Sequence, residues 1–452
     1  MALAVVIVLL VIGSLIFHFA SPWYFTPLAS NWSTIDFTVD LTFWVCGTVF
    51  VAVNLFTAYC VVRFRSRKGH NTAHYEPESK KLEIWLTVIT SVGVAAMLTP
   101  GLFVWGEFVT VPDEATEFEA VGKQWHWSFR LPGEDNLLGA SDVRHMNVDN
   151  PLGVDPEDPN GQDDVIVARP IMHLPVNQPV KALLRSSDVL HDFAVAQFRV
   201  KMDLVPGLVT YQWFTPTVPG TYEILCEELC GVGHFAMRGK IVVDEPAAYQ
   251  AWLDSQPTFA QTQARPVGNA TAGAANYAVC SACHGAQGEG NQQLNAPKMS
   301  GLPDWYIRRQ IHNYQQRIRG ADPRDTFGVQ MAPMAQTVAS EAVLENVIAH
   351  IETLPNTPAP VTIIGDPERG RKLYMTCSIC HGDNGEGRWG TNAPPLAGMS
   401  DWYLVRQLEY FQAGVRGDHP EDIYGDQMYM MANLLIQDGA INDVVAYINT
   451  IR

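Results

Sequence analysis

Three apolar stretches in the first 110 residues constrain this chain more than any other feature. Residues 2–19 carry no charged side chain, and two further stretches cover 41–62 and 84–104. At about 18 to 22 residues, each is long enough to cross a hydrocarbon core of roughly 30 Å as a helix. Within hydrocarbon only a helix or a closed barrel satisfies its own backbone, so helices are expected. The connection after the second stretch holds Arg63, Arg65, Arg67, Lys68, Lys80 and Lys81. Such an excess of Lys and Arg marks the cytoplasmic side. Everything beyond residue 110 is therefore expected on the periplasmic side of a bacterial inner membrane. The first stretch has an alternative, a signal peptide. It lacks a basic n-region, and its end, Phe17-His18-Phe19-Ala20-Ser21, is a poor cleavage site, so an uncleaved helix is preferred. Cys46 and Cys60 fall in the second stretch, where they are expected to pack as small apolar residues.

The remainder reads as acidic and soluble. The net charge of −17 resolves into 0 for residues 1–110, −12 for 111–255 (10 basic, 22 acidic) and −5 for 256–452. No basic patch exists to release counterions, which argues against nucleic acid as a partner. A content of 10% aromatic residues argues against intrinsic disorder. Six of the eight cysteines form three tight pairs, Cys226/Cys230, Cys280/Cys283 and Cys377/Cys380, each followed by a His. A disulfide framework suits short secreted chains. Pairs trailed by His point instead to metal and haem.

From about residue 111 to 254, β-branched and aromatic runs at 180–184, 208–214, 221–225 and 240–243 alternate with Pro/Gly turns. That pattern predicts an all-β sandwich or barrel. The acidic stretch 149–164 reads as a long surface loop. Between two of the runs lies Cys226-Glu227-Glu228-Leu229-Cys230-Gly231-Val232-Gly233-His234-Phe235-Ala236-Met237, and His191 is read at the end of another strand. Thiolates, imidazole and thioether form a soft donor set that favours copper, and two cysteines four apart suit bridging of two ions. Structural zinc also uses Cys and His, but it has no need of the Met, and its Cys pairs come in twos.

On this loop, residues 30–245 resemble subunit II of the haem-copper cytochrome c oxidases. The resemblance implies Cys226 and Cys230 as thiolates bridging a dinuclear copper centre (CuA), His191 and His234 as terminal ligands, and Met237 as a weak axial ligand. It implies that Glu228 offers its backbone carbonyl, with its carboxylate near a magnesium ion shared with subunit I. Gly122-Lys123-Gln124-Trp125-His126-Trp127-Ser128 resembles the family's aromatic strand, which implies Trp125 on the electron path; core packing is a compatible role. Leu82-Glu83-Ile84 resembles a segment bearing a carboxylate at a proton-channel mouth, although Glu83 is equally an ordinary helix-start acid.

After a loose stretch, residues 255–273, the sequence repeats at an offset of 97. Cys280-Ser281-Ala282-Cys283-His284 aligns with Cys377-Ser378-Ile379-Cys380-His381, Asn295-Ala296-Pro297 with Asn392-Ala393-Pro394, and Asp304-Trp305-Tyr306 with Asp401-Trp402-Tyr403. Cys-x-x-Cys-His is the covalent attachment motif of haem c, with the His as proximal ligand. A redox dithiol does not explain a His that follows immediately, twice. Each haem needs a sixth ligand, and His/Met ligation raises its potential. Met331 and Met428 each lie 47 residues after the proximal His, but Met334 and Met431 repeat equally well. The modules resemble the cytochrome c family, closest to its two-haem members, and this resemblance implies Met331 and Met428. Pro297 and Pro394 are expected to offer carbonyls to Nδ1–H of His284 and His381. Residues 338–354 and 434–451 read as closing amphipathic helices. Asp304-Trp305-Tyr306 and its copy are read as helix openings rather than partner contacts. The remaining histidines are taken as surface or structural.

The expected architecture is multidomain: transmembrane α-helices within 1–110, an all-β cupredoxin-like CuA domain at 111–255, a linker at 256–273, and all-α cytochrome c domains at 274–355 and 356–452. The resemblance implies an electron-transfer subunit that is not itself the site of oxygen reduction. Its expected partners are subunit I, subunit III, the membrane, and cytochrome c or another donor. A CuA-containing nitric oxide reductase and a stand-alone membrane carrier are the alternatives. Residues 256–355 are net 0 and residues 356–452 net −5, so the terminal haem is expected to be the better target for a basic donor.

Overall fold

The computed structural model describes residues 1–21, 25–65 and 78–452. Arg67, Lys68, His70 and His74 lie outside the described residues. The apolar stretches form α1 (Ala2–Ala20), α2 (Ser33–Arg63) and α3 (Lys80–Val109), each long and apolar enough to cross a membrane. α2 and α3 run past their expected ends because those ends dock on the β domain. Trp32, the residue that opens α2, is fully buried with its ring 5.2 Å from Phe108 and 4.8 Å from Trp213. Trp32 Nε1 donates to the Trp213 carbonyl (3.1 Å), and Trp213 Nε1 donates to the Glu107 carbonyl (3.1 Å). Arg199 donates to both carboxylate oxygens of Asp36 (2.7 and 3.0 Å). Two helix ends are thus fastened to the β domain, at Trp213 and at Arg199.

Ten strands follow: β1 (Thr116–Lys123), β2 (His126–Leu131), β3 (Val165–Val167), β4 (Ile171–Pro175), β5 (Val180–Ser186), β6 (His191–Val195), β7 (Val200–Leu204), β8 (Val209–Phe214), β9 (Gly220–Leu225) and β10 (Arg238–Asp244). They form two five-stranded sheets, β3-β2-β1-β5-β8 and β4-β10-β9-β6-β7. Alternation puts Phe118, Trp127, Phe129, Leu184, Phe193, Phe214, Ile224 and Ile241 between the sheets. Helix α4 (Pro246–Asp254) lies over β4 and β10 and stacks Trp252 on His173, with ring centroids 4.5 Å apart.

Two stretches are more ordered than the sequence led us to expect. In 149–164, Leu152 and Val154 are buried in a small core with Val121, Ile166 and Phe259. The Asn150 side chain bridges Val154 O and N, and buried Asp164 accepts from Arg130 at 2.8 Å. The presumed linker contributes Phe259, which closes that core from α5 (Phe259–Gln263), a short helix held by a Thr258/Gln261 capping box.

The repeat folds as two four-helix units in matched order: α6 (Ala270–His284), α7 (Asp304–Gln315), α8 (Thr326–Ala335) and α9 (Glu341–Glu352), then α10 (Pro367–His381), α11 (Asp401–Gln412), α12 (Ile423–Ala432) and α13 (Ala440–Ile448). α6 crosses α9, and α10 crosses α13, at repeat-matched glycines. A Cβ on Gly273 would run into the Asn346 carbonyl, and one on Gly370 into the Asp443 carbonyl. Backbone cannot yield as a side chain can, so Gly370→Val is expected to destabilise the terminal module by about 3 kcal/mol or more. Gly390→Val, where nothing lies within 4 Å, is the control. Denaturant unfolding followed through each module's haem absorbance measures both.

The units meet about a pseudo-two-fold axis, so each contact occurs twice. Arg309 donates to the Asn392 carbonyl (2.9 Å), and Arg406 to Asn295 Oδ1 (2.6 Å). Arg319 donates to Gln407 (3.0 Å), and Arg416 to Gln310 (3.1 Å). Arg309 lies over Tyr424 (4.4 Å), and Arg406 over Phe327 (4.7 Å). Asp304 and Asp401 do open helices, as expected. The tyrosines two residues on also reach across this interface, Tyr306 to Arg416 and Tyr403 to Arg319.

Candidate metal centre and paired haem clefts

β9 and β10 pair antiparallel up to Leu225 and Arg238, so the twelve residues between them form a closed loop at one end of the sandwich. Within it, Cys226 Sγ and Cys230 Sγ lie 3.7 Å apart. His191 Nδ1, from the start of β6, is 3.8 Å from Cys226 Sγ, and His234 Nδ1 is 3.5 Å from Cys230 Sγ. Met237 Sδ sits 3.9 Å from Cys230 Sγ, and the Glu228 carbonyl 3.2 Å from Cys226 Sγ. The fold thus brings together all six residues that the sequence singled out here, with Glu228 turning its carbonyl to the cluster. His191, Cys226, Cys230 and Met237 are buried. Two soft thiols flanked by imidazoles and a thioether, all converging, suit a pair of copper ions.

The thiols divide their charge unequally. Hydrogen bonding from Cys230, helped by His191 and opposed by burial, pulls the Cys226 thiol down to about 3; the same hydrogen bond, with burial, pushes Cys230 up. Metal binding at this pair therefore releases a proton.

Residues missed in the sequence hold the ligands in place. Asp188 accepts from His191 Nε2 (2.8 Å) and from the Gln124 backbone (2.7 Å), which leaves Nδ1 facing the thiols. Its position three residues before a candidate ligand was the available signal. Gln124 Nε2 donates to the Cys230 carbonyl (2.8 Å). Trp125 is buried against the loop, with Nε1 directed at that carbonyl (3.3 Å) and its ring filling the space a Gly233 side chain would need. Glu83 is not part of this constellation. It lies exposed in the first turn of α3, about 36 Å of helix from the Glu107 end that touches the β domain.

Each four-helix unit surrounds a cleft. α6 presents Cys280, Cys283 and His284, and α10 presents Cys377, Cys380 and His381. His284 Nδ1 and His381 Nδ1 each lie 2.7 Å from the carbonyls of Pro297 and Pro394. Burial lowers the basicity of both rings and leaves Nε2 as a neutral donor atom. Met331, Met334, Met428 and Met431 all line the clefts; Met331 is half-buried and Met334 is 41% exposed. One cavity of about 500 Å³ runs through both clefts. Arg309, Arg319 and Arg416 line it, and their Nε groups are buried without a partner. Haem carboxylates suit these orphaned donors, so the clefts fit haem in charge as well as in attachment chemistry.

Of the remaining histidines, His126 is the most deeply placed. Its Nε2 meets the Ala168 carbonyl at 2.8 Å, its Nδ1 is buried without a partner, and Tyr424 of the terminal module covers its ring at 5.1 Å. Burial pushes its pKa down from 6.5 to about 3, with Lys123 and Arg309 adding to the effect. A released ring binds a proton that the docked ring refuses. Docking is therefore expected to weaken as pH falls from about 6.5 toward 3. Hydrogen exchange of α12 against pH measures this, and His126→Phe should flatten the profile.

Residues 116–245 match the family described as "Cytochrome C oxidase subunit II, periplasmic domain", and 270–355 and 367–452 each match "Cytochrome c". The chain is 56% identical over 265 residues to an "Alternative cytochrome c oxidase subunit 2" from Bradyrhizobium diazoefficiens, covering 59% of this chain and 95% of the relative. It is 27% identical over 241 residues to a "Cytochrome c oxidase subunit 2" from Cereibacter sphaeroides, covering 51% and 78%. Among solved structures, the periplasmic domain of subunit II of cytochrome oxidase from Bradyrhizobium japonicum aligns at 30% identity, covering 32% of this chain and 96% of that one, with a TM-score of 0.24. Cytochrome c4 from Pseudomonas stutzeri aligns at 27% identity over 40% and 98%, with a TM-score of 0.33.

Proposed function

Since this chain belongs to the cytochrome c oxidase subunit II family, we propose that it takes electrons from an external donor through two c-type haems and a dinuclear copper centre to subunit I, where oxygen is reduced and protons are pumped. The observation that carries this reading is the series His191–Cys226–Cys230–His234, buried at its first three members, whose thiols stand 3.7 Å apart. When bound, copper and haem supply one-electron redox chemistry with little rearrangement. The chain's own residues do the rest. Cys226 and Cys230 would hold the copper pair with their thiolates, His191 and His234 with their imidazoles, and Met237 and the Glu228 carbonyl would supply weaker donors. Asp188 keeps His191 in the binding tautomer. Met331 and Met428, with His284 and His381, would hold the two haem irons, and the Pro297 and Pro394 carbonyls orient those imidazoles. Trp125 lies on the electron path into the copper loop, and the Glu228 carboxylate would stand near a magnesium ion shared with subunit I. Glu83, on the cytoplasmic side, opens a proton channel.

The assembly sits in the bacterial inner membrane with subunits I and III, and its copper and haem domains are periplasmic. Purification from native membrane, with optical spectra for haem type and an oxygen electrode, tests the reading. Oxygen uptake driven by a c-type cytochrome is expected. Nitric oxide consumption without oxygen uptake, or no catalytic partner at all, would overturn it.

A further inference from the structure

The two haem modules are alike in sequence, but the copper domain touches them differently. Helix α12 of the terminal module lies on the metal loop's own support: Gln427 Nε2 donates to the Trp125 carbonyl (2.5 Å), and Tyr424 covers His126. Around that contact, Lys123 stands over Trp389 (6.0 Å) and Arg169 pairs with Glu421 (3.1 Å). Arg238 and Lys240 bear on Asp426. Cys380 itself packs against the copper domain's core. Trp125, Gly233 and Ala236 of the copper domain line the cavity that both clefts share, so the choice of module rests on the α12 contacts. The matching edge of the first module is open: Cys283 is exposed, with Val279 and Leu294 beside it at 43% and 52% exposure.

We propose that α12 of the terminal module is the seat of the copper loop, so that electrons enter the chain at the exposed Cys283 edge of the first module, cross to the terminal module, and leave through Trp125. This rests on the function proposed above and reverses the order that charge alone suggested. Part of the terminal module's acidic surface, Glu421 and Asp426, faces Arg169, Arg238 and Lys240 of the copper domain, which leaves less of it to steer a donor. The occupant of the open edge is a one-electron donor of the cytochrome c class. Its ferrous iron becomes ferric as the first module's iron becomes ferrous. That one electron then moves inward, and oxygen at subunit I is the final oxidant.

Electron-spin relaxation of the copper centre in the fully oxidised full-length chain tests the order, because a nearby high-spin iron speeds relaxation more than a low-spin one. Met428→Ala, which turns the terminal haem high-spin, is expected to accelerate copper relaxation, and Met331→Ala to leave it at the wild-type rate. The reverse result, or equal effects, overturns the proposal. If Met428→Ala does not retain haem, Gln427→Arg serves. Undocking should slow copper relaxation with haem spectra unchanged, and an unchanged rate overturns the proposal. A second arm reads donor binding. Leu294→Glu is expected to raise KM for the donor several-fold with kcat retained, whereas Leu434→Glu on the terminal module leaves KM unchanged; the opposite pattern overturns it. Absence of any dinuclear copper signal would instead overturn the function from which the inference starts.

Discussion

Cys230→Ser is expected to abolish the dinuclear copper centre while leaving both haem modules intact. Cys230 Sγ stands at the middle of the donor set, 3.7 Å from Cys226 Sγ, 3.5 Å from His234 Nδ1 and 3.9 Å from Met237 Sδ. A serine oxygen is harder and far less acidic than the thiol it replaces, so it neither bridges nor delocalises charge. Metal analysis should fall below two copper ions per chain, and the dinuclear electron-spin signature should vanish. Asp188→Asn keeps every ligand and alters only what holds His191, so a weaker effect is expected, about a 10- to 100-fold loss of copper affinity. Glu228→Gln should bind copper as the parent does, because the carbonyl rather than the carboxylate turns to Cys226. Retention of an unaltered dinuclear signal in Cys230→Ser would show that the loop is not the copper site.

The loop was legible because nearly all its chemistry sits in twelve consecutive residues whose donor types have few other uses. His191 was legible only through resemblance, since β6 brings it in from 35 residues upstream. Asp188, despite its place three residues before His191, and Gln124 were passed over because a carboxylate and an amide in a turn look like ordinary turn chemistry until the strands are paired. The three membrane helices and the repeat were legible for the same reason as the loop: charge-free length, and Cys-x-x-Cys-His at a fixed offset, each admit few readings. Their surroundings were not. Phe259 stands alone in a Gln/Thr/Ala-rich stretch, and Leu152 and Val154 in an acidic one. Only the folded chain shows that these apolar side chains meet. The order of the modules was hidden for a different reason. Repeat-matched residues such as Gln330 and Gln427 look alike in sequence, and which of them meets Trp125 is decided by where the pseudo-two-fold pair is set down on the copper domain.

Arg319→Ala is expected to uncouple the two haem modules, with a cost of about 3 kcal/mol. Burial opposes the charge of Arg319, but the phenol oxygens of Tyr314 and Tyr403 outweigh it and hold the guanidinium protonated. Its fork donates to Gln310 within its own module (2.7 Å) and to Gln407 and Tyr403 in the other, while its flat face lies 4.7 Å from the Tyr314 ring. Alanine removes the donors to half-buried Tyr403 and to Gln407, which keeps only the 2.7 Å bond from Arg416, and strips the cavity of one of its orphaned Nε donors. The damage therefore falls on both modules although only one is altered. Unfolding followed at the two haems should lose its coincidence, with the modules melting separately. Arg416→Ala removes the symmetry-related fork from a half-buried position, so a smaller loss is expected, and the double variant should cost less than the sum because both side chains serve one interface. Arg319→Lys should not restore coupling, since an ammonium cannot span Gln310 and Gln407 at once. If the modules of Arg319→Ala still melt together at the parental midpoint, the interface is held by Arg309 and Arg406 over their aromatic partners instead, and the paired forks contribute little.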